Sequence, residues 1–64
     1  MSLLNRDKEF INSHNWSKMN ALQAYNILAR YFPDNTVDST ENLAKMLINN
    51  QDENIQEKIL EKWL

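Results

Sequence analysis

The residue best suited to chemistry in this chain is His14, its one histidine, with Ser13 beside it and Ser17 three positions on. An imidazole near a hydroxyl is the start of a nucleophilic pair, and a lone histidine is also the usual pH switch. Acyl transfer needs an oxyanion site too, commonly built on tight backbone turns. The chain has no glycine in 64 residues, which works against such a turn. His14 is therefore read as a polar residue of a connection, and the protein as no enzyme.

Metal chemistry is tested the same way. There is no cysteine, and His14 has no thiolate or second imidazole to join it, so no zinc site is expected. Asp34, Thr36 and Asp38 occupy alternate positions of a calcium loop. The glycine of such a loop is replaced by Ser39, and the closing glutamate by Lys45. The stretch is read as a turn followed by a helix cap. No cofactor is expected, since a phosphate-cradling loop also needs glycine.

Charged and aromatic residues point instead to binding. Glu53, Glu57 and Glu61 recur every fourth residue and make an acidic ridge. Residues 38–63 have the outline of a degenerate helix-turn-helix, and Leu43-Ala44-Lys45-Met46-Leu47 resembles the first helix of many such motifs. The candidate recognition helix carries Asp52 and the three glutamates against Lys58 and Lys62 alone. Phosphate contacts come largely from Lys and Arg, so this surface argues against nucleic acid. A nucleic-acid-linked regulator stays the alternative, beside an acidic inhibitor whose ridge fills a partner's basic groove. Ala21, Tyr25, Leu28 and Pro33 echo a tetratricopeptide helix, but nothing in the chain repeats.

Two tryptophans, two tyrosines, two phenylalanines and three methionines are many large groups for so short a chain. Most must form the core. Some must stay outside, and aromatic and Met side chains are enriched at protein interfaces. Trp16, Met19, Tyr25, Trp63 and Leu64 are the expected interface.

These groups are positioned by helices. Hydrophobic residues are 42% of the chain and the net charge is −2, enough apolar material for a core. Four helical patterns appear, at about 2–12, 16–32, 39–49 and 51–64, and no segment alternates as a strand does. The first puts Leu3, Leu4, Phe10 and Ile11 on one face, with Arg6, Asp7, Lys8 and Glu9 filling the gap. The second is central. Its apolar arc, from Trp16 through Ala24, Leu28 and Phe32, is wider than the stripe of about 100° that a surface helix needs. Asn15 or Ser17 caps its start, and Pro33 ends it. The third opens on an Asp38–Glu41 capping box with Val37 as hydrophobic staple. The fourth opens on Asn50 with Glu53 and turns Ile55, Ile59, Leu60, Trp63 and Leu64 to one side.

Ten asparagines are spread along the chain. Asn12/Asn15, Asn35 and Asn49/Asn50 fall at the breaks, where they are expected to supply the left-handed closing residue that glycine usually gives. The class is all-α: one small compact bundle of four short helices, with residues 1–64 as a single domain. A domain of about 60 residues buries only about 60% of its unfolded surface, so help from a second copy is expected. The functional expectation is a small cytoplasmic interaction module, regulatory or adaptor, that associates with itself. No signal peptide or membrane span is expected.

Overall fold

The computed structural model describes residues 3–64, and every regular element in them is helical. The elements are α1 (Asn5–Asn12), a 3-10 turn (Trp16–Lys18), α2 (Ala21–Tyr31), α3 (Val37–Ile48) and α4 (Glu53–Trp63). The all-α bundle of four helices is as expected. Its Cα atoms span 25 × 25 × 16 Å. Two helix layers at the usual spacing fill about 13–15 Å between outer Cα atoms, so the slab is two helices thick.

The first helix starts later than its pattern. Leu4 is extended, at φ −70° and ψ 153°, and Asn5 opens the helix. Ser2, where the sequence reading begins it, lies outside the described residues.

The second pattern, 16–32, is not one helix. Trp16–Lys18 forms a 3-10 turn, and Met19 is extended at φ −93° and ψ 153°. Asn20 then caps α2. Its side chain accepts from the Gln23 backbone N–H at 2.8 Å, and Gln23 Oε1 accepts from the Asn20 N–H at 3.2 Å. This reciprocal box satisfies two donors that a helix start leaves over. Neither Asn15 nor Ser17 caps α2; Ser17 Oγ donates to Asn15 Oδ1 instead. Pro33 acts as expected. Phe32, just before it, has left helical geometry at φ −121° and ψ 69°.

The caps of α3 and α4 also move. Thr36 Oγ1 accepts from the Ser39 N–H at 3.2 Å, so Thr36 caps α3 and Asp38 lies in its first turn. Val37 becomes the first helical residue and is exposed, with no staple role. Glu41 pairs with Lys45 at 3.2 Å rather than closing a box. Asp52, not Asn50, caps α4 by accepting from the Asn54 N–H at 2.8 Å.

No described residue has a positive φ, so the left-handed role expected of asparagine is not taken. The chain manages without glycine because its helices end in right-handed or extended geometry. Asparagine contributes through its amide instead. Asn50 Nδ2 donates to the Met46 carbonyl at 2.8 Å. The Asn50 carbonyl in turn accepts from buried Gln56 Nε2 on α4. One residue thus ties the end of α3 to α4.

α2 and α3 form the most extensive helix pair, and α3 also touches α4 and the 3-10 turn. The core holds Ile11, Trp16, Ala24, Leu28, Leu43, Ala44, Leu47 and Leu60, all fully buried. Ala24 on α2 and Ala44 on α3 are small enough for a close pair. The wide arc of the second pattern is only partly covered. Ala24 and Leu28 are buried, Tyr25, Ile27 and Tyr31 are half-buried, and Leu22 is 69% exposed.

Candidate functional site

An aromatic cluster holds the end of α1 to the end of α2. Phe10 stacks on Tyr31 with ring centres 3.9 Å apart and planes 10° from parallel. The Phe10 ring also meets Trp16 and Phe32 edge to face. Phe32 passes the chain of contacts to Trp63 on α4, at 5.0 Å. Such edge-on and offset pairs stabilise by about 0.5–1.5 kcal/mol each beyond their buried area. The cluster is a structural joint between three helices.

Its polar anchor is Asp7. Asp7, one of the four charged residues between the apolar pairs of the first segment, is buried and accepts from the Tyr31 hydroxyl at 2.8 Å. Arg6 Nε lies 3.8 Å from the same carboxylate oxygen. Burial of the phenol, with the hydrogen bond to Asp7 and its negative charge, raises the Tyr31 pKa above 10.0; the charge of Arg6 opposes this.

Beside this joint runs a groove of about 560 Å³ between the start of α1 and the end of α4. Leu3, Leu4, Phe32 and Leu64 give it apolar walls, and Asp7 reaches its lining already bonded to Tyr31. Arg6 on α1 and Glu61 on α4 stand at its edges. A second hollow, lined by Glu9, Phe10, Ser13 and Tyr31, shares Arg6 and Phe32 with the first.

The residues picked from sequence are dispersed. Trp16 is fully buried and donates from Nε1 to the Ile11 carbonyl at 2.8 Å, so it belongs to the core and offers no surface. Trp63 is half-buried and donates to the Ser39 carbonyl at 3.1 Å, so it braces α4 against α3 rather than protruding. Met19 lines a separate shallow hollow on α2 with Gln23, Ile27 and Arg30. Tyr25 is half-buried on α2. Leu64 alone of the five reaches the groove. On the acidic ridge, Glu53 and Glu61 are exposed, while Glu57 is half-buried and accepts from Asn12 Nδ2 at 3.1 Å.

His14 is half-buried, and its Nδ1 lies 2.8 Å from the Phe10 carbonyl. A carbonyl only accepts, so Nδ1 carries the proton and Nε2 is the remaining nitrogen. Ser13 Oγ donates to that same carbonyl, and Ser17 Oγ donates to Asn15. Ser13 Oγ also lies 3.1 Å from His14 Nδ1, but that nitrogen is engaged with the Phe10 carbonyl, so the contact leaves no free imidazole base facing the hydroxyl. Among the described residues no three His, Asp or Glu side chains gather as a metal site. Among the described residues no helix is long and apolar enough to cross a membrane.

Sequence reasoning missed Leu4, Phe32 and Arg6 as neighbours of Leu64. They lie in separate elements, and only the packing of α1 on α4 unites them. Comparison with known protein families, with curated proteins and with solved structures returned no match.

Proposed function

We propose that this protein is a small non-enzymatic cytoplasmic module for protein–protein interaction, of regulatory or adaptor kind. It works by burying apolar helix surface against another protein chain, with self-association as one mode. One observation carries the reading. Leu4 and Leu64, 57% and 56% exposed, line one groove with Phe32 at its wall, although they stand 60 positions apart in the chain. Apolar surface gathered this way into a concavity and rimmed by charge is typical of docking sites.

Immobilised wild-type chain and a Leu4→Glu variant of equal melting temperature test the reading, together with light scattering. Capture of a defined protein, or of labelled chain itself, that is lost with Leu4→Glu supports it. No capture, with scattering at one chain's mass into the high micromolar range, overturns it. Retention on DNA insensitive to Leu4→Glu would favour the nucleic-acid reading instead.

A further inference from the structure

We infer that the occupant of the groove is a second copy of this chain, related by a two-fold axis that runs along the groove. The inference rests on the reading above and names its partner. Closed two-fold dimers are the commonest oligomers, and they require a patch complementary to itself. This groove meets that requirement twice. Its α1 edge carries Arg6, whose side chain is 77% exposed, and its α4 edge carries the exposed Glu61. A two-fold along the groove lays each edge on the opposite edge of the other copy. Arg6 then faces Glu61 of the partner subunit, and the same pair recurs across the axis. The operation also sets Leu4 against Leu64 of the partner subunit.

The local chemistry favours a copy over a strongly charged partner. The lining mixes both signs, Arg6 against Asp7 and Glu61, so the groove is a poor seat for a polyanion. Asp7 is held by Tyr31, and no buried side-chain polar atom among the described residues lacks a partner. Glu61 is in no ion pair among the described residues, and Arg6 meets Asp7 only at 3.8 Å through Nε with its side chain 77% exposed, so both can reach an outside partner. A specific dimer needs roughly 500 Å² from each copy. The interface must therefore run beyond the groove, and the adjoining hollow over Phe10 and Tyr31, which shares Arg6 and Phe32 with it, is the surface available for that.

Sedimentation equilibrium of the wild type, Arg6→Glu, Glu61→Arg and the double charge swap tests this. The wild type dimerises, each single swap weakens the dimer roughly tenfold, and the double swap restores most of the loss. Melting temperatures confirm that each variant folds. Should Arg6→Glu unfold the chain, single-cysteine variants replace it, since the protein has no cysteine of its own. Leu4→Cys mixed with Leu64→Cys then oxidises to the mixed dimer in preference to either like pair. A dimer unmoved by all charge swaps and broken by Leu22→Glu places the copy on α2 and overturns the groove geometry, leaving self-association standing. A monomer whose groove captures a different protein overturns the second-copy occupant and leaves the interaction module. A monomer that captures nothing overturns both.

Discussion

Tyr31 donates its hydroxyl proton to the carboxylate of Asp7 at 2.8 Å, joining α2 to α1 across 24 positions of sequence. The Asp7 side chain is only 7% exposed, so water replaces a lost donor poorly. Tyr31→Phe keeps the ring that stacks on Phe10 and removes this donor alone. The expected loss is about 1–3 kcal/mol, the penalty for leaving a buried acceptor short of a partner. Urea unfolding with an unchanged slope and a lowered midpoint checks it. An unchanged midpoint would mean that Arg6, 3.8 Å away, already satisfies Asp7.

The same bond gives a pH dependence whose sign is fixed. Burial first, then the Asp7 hydrogen bond and charge, raise the folded-state pKa of Tyr31 above 10.0. Between the unfolded and folded values the native state holds the phenolic proton and the unfolded chain has lost it. The stability from this shift is thus complete below about pH 10 and lost as pH rises through the folded value. In a Tyr25→Phe background, ultraviolet titration should show Tyr31 ionising later than free tyrosine. Asp7→Asn keeps an acceptor but removes the charge, so the curve should move partway back. A Tyr31 curve at or below that of free tyrosine would contradict the geometry.

The bundle was legible because helix periodicity and proline are local signals. The α-helical class, the break at Pro33 and the buried places of Leu28, Leu43 and Leu60 all follow from spacing within one segment. Cap positions were read less well. Thr36, Asn20 and Asp52 compete with Asp38, Asn15 and Asn50, which are chemically equivalent candidates a few residues away. Tertiary packing decides between them. Trp16 shows the same limit: its arc position matches the second helix, yet burial against α1 and a bond to Ile11 hold it in a separate turn. The groove was the least legible. Leu4 and Leu64 stand at opposite ends of the chain, and no periodicity links them.

The cap assignment can be tested directly. Asn20→Ala removes the acceptor for Gln23 N–H and half of the reciprocal box, so it should cost about 0.5–2 kcal/mol. Asn15→Ala removes only an exposed acceptor for Ser17 and should stay within about 0.5 kcal/mol of wild type. Thermal unfolding of the two variants side by side decides between one long helix from Trp16 and a helix that starts after Asn20. Equal losses, or a larger loss for Asn15→Ala, would restore the long helix.

Leu22 and Leu28 share α2 and differ in chemistry not at all, which makes them a matched pair for its orientation. Leu28 is fully buried beside α3, and Leu22 is 69% exposed. Leu28→Ala should cost about 2–5 kcal/mol, combining lost burial with the cavity left behind. Leu22→Ala should change the stability of the monomer by no more than about 0.5 kcal/mol. The comparison must be run at low concentration, because a chain that associates gains apparent stability by mass action. If Leu22→Ala also lowers the midpoint, and does so more at high concentration than at low, then α2 is itself covered by a second chain. If it lowers the midpoint equally at all concentrations, the helix face is misassigned.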